Sequence, residues 1–353
     1  LTLRVGVIGC GYWGPRLVRN FVSILNEGMR AVADTDQRRL DVITEQYPFI
    51  RTATDPMELI ESRDIDAIAI ATPAHTHFDL AQATIAAGKH VLIEKPMTDS
   101  VQSSVRLIDL AEQAKVVLMV DHTFIYTGAV RKMKEIVNSG ELGELYYFDS
   151  VRVNLGLFQH DVNVLWDLAP HDVSIMDDII GKSPIAVAAH GVAHMNYGQN
   201  KMEDIAYLTV YYPDNLIGHI HVNWLAPVKI RRTLIGGSKK MIMYDDTEPA
   251  EKVKVYDRGV ELSGYDDPTN LYKALVSYRM GDMYAPHLEQ VEALRREVEH
   301  FVDCIETGAK PETDGYAGLN VVRILDAASR SLRNGGATTP IDHSGMDVTV
   351  DSS

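Results

Sequence analysis

The sequence predicts an α/β chain in two parts: a doubly wound parallel sheet over residues 1–122, then an α+β domain over 123–353 with a large, mostly antiparallel sheet. Three observations predict it. Short apolar runs alternate with helical patterns up to about Asp121, the signature of parallel βαβ units. Beyond that point longer strands follow one another directly, several with period-2 alternation, as in a sheet with unlike faces. A glycine-rich turn joins the first strand to the first helix. The 353 residues suffice for two or three domains.

The elements follow in order. Leu3–Gly9 is a β-rich run ending in glycine, and from Pro15 the residues Leu17, Val18, Phe21, Val22 and Leu25 recur at helical spacing. Arg30–Asp34 is a second strand and Thr35–Tyr47 a helix. Asp55 is an N-cap candidate, with Pro56 at the first helical position of a helix to Ser62. Ile65–Thr72 is a continuous apolar run, as in a strand buried on both faces. Phe78–Ala87 is a helix stopped by Gly88; His90–Glu94 is a strand, Ser100–Gln113 a helix and Val116–Val120 a strand. Gly128–Ser139 adds a helix. Strands then follow at 145–154, 185–194, 205–212, 216–224, 230–235, 241–244 and 253–256, interrupted by a helix from Asn163 or Pro170 to Ile180. Two helices close the chain, one from Pro286 to Gly308 and one over Leu319–Leu332.

Composition narrows the function classes. Lys plus Arg number 34 against 49 Asp plus Glu, a formal charge of −15 that repels nucleic acid and anionic lipid. A local basic pocket for a small anion remains compatible with it. Two cysteines far apart, Cys10 and Cys304, give no disulfide framework, and no apolar run reaches membrane-spanning length. The expectation is a cytoplasmic protein without nucleic-acid or membrane partners.

Gly9-Cys10-Gly11-Tyr12-Trp13-Gly14 is a G-x-G-x-x-G turn between a strand and a helix. In that context Gly9 permits the tight turn, Gly11 lets the backbone approach a pyrophosphate, and Gly14 allows close helix–strand packing. The helix N-terminus receives the phosphates. Asp34, at the end of the second strand, accepts hydrogen bonds from the adenosine ribose hydroxyls and repels a 2′-phosphate, which favours NAD over NADP. Arg38 and Arg39 stand close enough in sequence to keep NADP open. This is a dinucleotide-binding Rossmann pattern.

Glu94-Lys95-Pro96 ends a predicted parallel strand, at the sheet edge where ligands of such sheets bind. Lys95 can reach a substrate hydroxyl there, and Pro96 fixes the turn through a cis bond or otherwise. Taken alone, a surface lysine in a turn explains it better. Thr72, Pro73 and His77 end the preceding strand at the same edge and can line the nicotinamide side, or serve as ordinary loop residues. Asp167 and His171, four residues apart at a helix start, share one face. His171 suits proton acceptance from an alcohol and Asp167 suits orienting it. An N-cap Asp with a carbonyl-satisfied His accounts for the pair equally well.

Together the segments VGVIGCGYWG (5–14), ATPAHTH (71–77), AGKHVLIEKP (87–96) and WDLAPHDVSIMDDIIG (166–181), with Asp34, resemble the Gfo/Idh/MocA family of sugar and cyclitol oxidoreductases over nearly the whole chain. The resemblance implies hydride transfer between nicotinamide and a sugar hydroxyl or ketone, with Lys95 catalytic beside the nicotinamide and Asp167 and His171 across the substrate from it. It implies that Gly9, Gly11, Tyr12, Trp13, Gly14, Asp34, Thr72, Pro73, His77, Glu94, Lys95 and Pro96 hold the cofactor. The wording of 10–21, 164–172 and 223–246 is similar to the branch that acts at C3 of nucleotide-linked sugars. Arg152, Asn154, Lys229 and Arg231, with Lys95, Asp167 and His171, are then the substrate candidates; a solvated sheet face explains any single cation slightly better. Alternatives are a free sugar or cyclitol as substrate, a glycosidase using NAD transiently, and a dinucleotide sensor. The resemblance also implies a homodimer or homotetramer. His75/His77 and His219/His221 are H-x-H pairs without a third ligand, so no metal is expected.

Overall fold

The computed structural model describes residues 3–156, 162–195, 202–263 and 275–343, which form two compact units. The first begins with β1 (Val5–Ile8), α1 (Gly14–Leu25), β2 (Met29–Ala33), α2 (Gln37–Gln46), β3 (Arg51–Ala53), α3 (Met57–Ile60), β4 (Ala67–Ile70), α4 (His77–Ala86), β5 (His90–Glu94), α5 (Val101–Ala114) and β6 (Leu118–Asp121). All pairs in its sheet are parallel, in the order β3-β2-β1-β4-β5-β6. The order reverses between β1 and β4, and the crevice outside the carboxyl ends there is where such sheets bind ligands. β1 and β4 are buried at every position because helices cover both faces. Leu92 and Met119 join the core beneath α1, while Ile93 and Val120 join the opposite core with α4 and α5.

The second unit contains α6 (Gly128–Asn138), β7 (Leu145–Leu155), α7 (Val164–Ile180), β8 (Ala186–Val192), β9 (Ile205–Tyr211), β10 (Ile217–Asn223), β11 (Leu225–Gly237), β12 (Met241–Asp245), β13 (Val253–Ser263) and β14 (Leu275–Tyr284). Next come α8 (Ala293–Thr307), α9 (Gly315–Arg333) and β15 (Thr339–Pro340). The sheet runs β14-β13-β12-β11-β7-β10-β9-β8-β15 and is antiparallel except for the β7–β10 pair. α7 packs on β7, β9 and β10.

Three expectations need correction. The chain does not divide at residue 122: residues 291–327 and 341–343 return to the first unit. The reason is α8, whose Leu294, Val298, Phe301 and Val302 share a core with Leu17, Phe21 and Met119. α8 also starts at Ala293, not at Pro286. The preceding segment lies against the start of α6, where a Cβ on Gly128 would come within 2.1 Å of the Glu289 carbonyl. Finally, β3 and β14 have no counterpart in the sequence reading, and β11 and β13 run longer than their apolar cores. Ladder pairing with a neighbour extends them, β11 back to Leu225 against Leu155 and β13 onward through charged residues such as Arg258 and Glu261.

Candidate active site

In the first unit the glycine turn has the geometry its spacing implies. Gly9 has φ +93°, and a Cβ there would meet the Ala71 carbonyl at 2.5 Å. A Cβ on Gly14 would lie 1.9 Å from the Gly9 carbonyl, so α1 starts directly against the turn. Gly11 is different: its Cβ position meets only Arg39 Nη1, at 3.9 Å, leaving backbone open to an approaching ligand. Trp13 caps α1 without a side-chain hydrogen bond, and Pro15 lies in the first turn. The first N–H groups of the helix therefore have no side-chain acceptor at the cap, as an anion site requires.

Asp34 is buried and holds the turn together. It accepts from the Cys10 N–H at 2.6 Å, the Asp36 N–H at 2.8 Å and Arg39 Nη1 at 3.4 Å. A carboxylate has about four lone-pair positions, so acceptor capacity is left for a ribose hydroxyl. Arg38 is tied to Asp36 instead, at 2.8 Å. Burial, then Asp34, push the Cys10 thiol up to about 12, which excludes it as a nucleophile. Tyr12 is exposed, with the Arg16 guanidinium stacked 3.8 Å from its ring centroid, and lies edge-on to Trp13.

At the carboxyl edge of β4 and β5, His77 is 1% exposed and bridges two loops. Its Nδ1 lies 2.9 Å from the Pro96 carbonyl and its Nε2 2.8 Å from that of Thr72. It thus sets the loops that carry Thr72, Pro73 and Lys95 and is too buried to line a ligand itself; burial holds its ring below the usual imidazole range. The Thr72 and Thr76 hydroxyls bond at 2.7 Å, and Pro73 is exposed. Lys95 is half-buried, followed by a cis bond to Pro96.

Below Lys95 lies a group the sequence reading missed. Glu94 and Asp121 are register partners at the ends of β5 and β6, and Glu297 of α8 is fully buried beside Asp121. Burial and the Asp121 charge push Glu94 and Glu297 well above the usual carboxylate range. Asp121 Oδ1 accepts from the Thr123 N–H at 3.2 Å and from its hydroxyl. Glu94 is therefore a carboxyl biased towards its protonated form, buried rather than exposed to a cofactor. The missed signal was Asp121, a carboxylate closing an otherwise apolar strand.

In the second unit, α7 is capped by Asn163, whose side chain accepts from the Trp166 N–H, and continues through Pro170. Asp167 stands in its first turn and His171 one turn on, both half-buried. Trp224 Nε1 donates to Asp167 Oδ2 at 3.0 Å. The next residue, Asp172, faces the sheet. It accepts from Ser150 Oγ at 2.5 Å and pairs with Arg152 Nε at 2.5 Å, both side chains of that ion pair being 4% exposed. Arg231 is the register partner of Arg152 and pairs with Asp246 at 3.3 Å. Arg152 and Arg231 are thus brought together, each with its own carboxylate. Asn154 is half-buried two residues along from Arg152, and Lys229 is exposed.

The H-x-H pairs find other uses. His219 and His221 stack against Tyr207, with His221 at 4.3 Å between centroids. Among the described residues, no three His, Cys, Asp or Glu side chains are placed to hold a metal, and no helix is long and apolar enough to cross a membrane.

Comparison with known proteins places this geometry. Residues 3–122 match the model of an oxidoreductase family with an NAD-binding Rossmann fold, and residues 130–243 match that of the GFO/IDH/MocA C-terminal domain. The myo-inositol 2-dehydrogenase of Thermotoga maritima is 26% identical, covering 94% of this chain and 96% of that protein. The UDP-N-acetylglucosamine 3-dehydrogenase of Acidithiobacillus ferrooxidans is 25% identical over 91% of this chain and 95% of its own. A solved structure of the latter superposes with a TM-score of 0.79 at 23% identity, covering 95% of this chain and 99% of that one, a likeness of fold.

Proposed function

Because the chain belongs to the Gfo/Idh/MocA family of NAD(P)-dependent oxidoreductases, we propose that it moves hydride between nicotinamide and a secondary hydroxyl or ketone of a sugar ring. The observation that carries this reading is Lys95 at the carboxyl end of β5, in the same unit as a glycine cradle whose Gly11 is open to a ligand. Gly9, Gly11 and Gly14, the start of α1 and Asp34 fit a dinucleotide, which when bound supplies the hydride acceptor. Asp34 favours NAD; Arg39 beside it is the residue that would meet a 2′-phosphate. Lys95 stabilises the alkoxide that develops as the carbinol is oxidised. His171 accepts the hydroxyl proton, and Asp167 orients it or holds a neighbouring hydroxyl.

The nucleotide-linked reading, oxidation at C3, rests on the wording of the motifs and on the dehydrogenase from Acidithiobacillus ferrooxidans. A second reading, a neutral free sugar or cyclitol, is favoured by one observation: Arg152 and Arg231 already neutralise Asp172 and Asp246. A homo-oligomer belongs to the same proposal.

The test follows reduced-nicotinamide absorbance with NAD, then NADP, against UDP-, dTDP- and GDP-sugars, free sugars and inositols. Lys95→Ala and His171→Ala are each expected to abolish turnover while NAD still binds. Turnover unchanged in either variant would overturn that residue's assignment.

A further inference from the structure

Trp224 has no place in the chemistry so far, yet it is the largest fully buried side chain among the described residues and ends on a polar atom. Its backbone is pinned on both sides: its N–H donates to the Asp204 carbonyl at 2.9 Å, and its own carbonyl accepts from the Gly156 N–H at 3.2 Å. The ring is pinned as well. It lies flush on Gly156, where a Cβ would come 2.7 Å from Trp224 Cδ1, so only glycine leaves room for the indole in this place. An indole N–H can donate and never accept. At 3.0 Å from Asp167 Oδ2 it makes a charge-assisted bond to a carboxylate, the stronger class of hydrogen bond. Asp167 also sits in the first turn of α7, where the helix dipole favours negative charge.

We propose that Trp224 is a positioning residue that fixes the Asp167 carboxylate on the α7 face it shares with His171, with Gly156 as the space that admits it. A free Asp side chain samples several rotamers; one tied to a rigid, fully buried indole keeps a single orientation. That matters because a misplacement of about 1 Å can cost roughly 100-fold in rate. The inference rests on the assignment of Asp167 and His171 above, so it is tested by one measurement that needs that assignment and one that does not.

The chain has three tryptophans, hence three indole N–H resonances in a 15N-labelled sample of the full protein. Trp224→Phe, which keeps an aromatic ring and deletes the donor, identifies the relevant one. Asp167→Ala is expected to move that resonance upfield; an unmoved resonance overturns the contact whatever the enzyme's substrate. In kinetics with the best substrate of the panel, Trp224→Phe is expected to lower kcat about tenfold, with KM within about threefold and NAD binding unchanged, since it deletes the donor to a charged group and keeps an aromatic ring in the site. Gly156→Ala, which pushes the indole off its seat without touching a polar group, is expected to reproduce the same split. Wild-type kcat in folded Trp224→Phe overturns the positioning role. Full turnover in Asp167→Ala and His171→Ala instead overturns the catalytic reading, while the resonance still reports the contact.

Discussion

His122 follows the end of β6, is 1% exposed, and has no hydrogen-bond partner on either ring nitrogen among the described residues. Burial, helped by the Lys95 charge, lowers its pKa from 6.5 to about 3. The folded chain therefore refuses a proton that the unfolded chain accepts. Unfolding takes up a proton below pH 6.5, so stability is intact above that pH and falls as pH drops from 6.5 towards 3. At ~1.4 kcal/mol per pH unit the full window costs about 5 kcal/mol, and by pH 5 about 2 kcal/mol is already lost. Replacing His122 with Leu removes the titration and a buried polar group together. Urea unfolding of wild type and His122→Leu at pH 7 and pH 5 isolates the effect, because every other ionisable group is common to both proteins. The variant's advantage should grow by about 2 kcal/mol between the two pH values. An advantage that stays constant from pH 7 to pH 5 would refute the reasoning, since a packing change alone has no pH dependence in this range.

The remaining predictions concern other features of the same two units. Glu297→Gln should show the opposite sign: burial and Asp121 raise the native carboxyl well above its unfolded value, so wild-type stability falls as pH rises past the unfolded carboxyl range, and the variant should gain on wild type between pH 5 and pH 7, read by the same urea titration. Gly14→Ala should abolish NAD binding in calorimetry, because its Cβ would sit 1.9 Å from the Gly9 carbonyl and force the turn apart. Arg152→Met should cost about 3–5 kcal/mol by leaving Asp172 buried without its cation, measured by chemical denaturation. Asp34→Ala should weaken NAD more than NADP in fluorescence titration, since it removes the ribose acceptor and frees Arg39 from its carboxylate.

The parallel unit was legible because each of its determinants is local. A β-rich run ending in glycine marks β1, an apolar run with no polar alternation marks β4, and glycine spacing marks the close-packed turn between β1 and α1. Ser100 caps α5 through the Ser103 N–H, one residue from where the periodicity put the helix start. What was illegible depends on partners distant in sequence. α8 joins the first core because Phe301 meets Phe21, 280 residues away along the chain, and no local pattern carries that contact. β14 forms through its ladder with β13, and its own composition, broken by Gly281 and Asp282, gives a weak strand signal. His77 read as a cofactor contact because its type suits one; burial between two carbonyls makes it a strut instead.

The same distinction governs the substrate question. Counted along the sequence, Arg152 and Arg231 are cations in an acidic protein and suggest a pocket for an anionic sugar. In the fold each has a carboxylate within bonding distance, Asp172 at 2.5 Å and Asp246 at 3.3 Å, and these come from a helix and from the turn after β12, which no charge count links to them. A phosphate approaching Arg152 would have to displace a buried carboxylate that also accepts from Ser150, and so would leave Asp172 without its cation. Arg231 is more accessible, but Asp246 is also held by Lys252 and Tyr244, which keeps the local charge balanced. The exposed Lys229 is the remaining cationic candidate of this unit's set. A pyrophosphate reader normally presents planar, bidentate donors that are not already engaged. Discrimination between a nucleotide-linked and a neutral polyol therefore turns on Lys229: Lys229→Ala should raise KM for a nucleotide-linked substrate and leave KM for a neutral sugar or inositol unchanged.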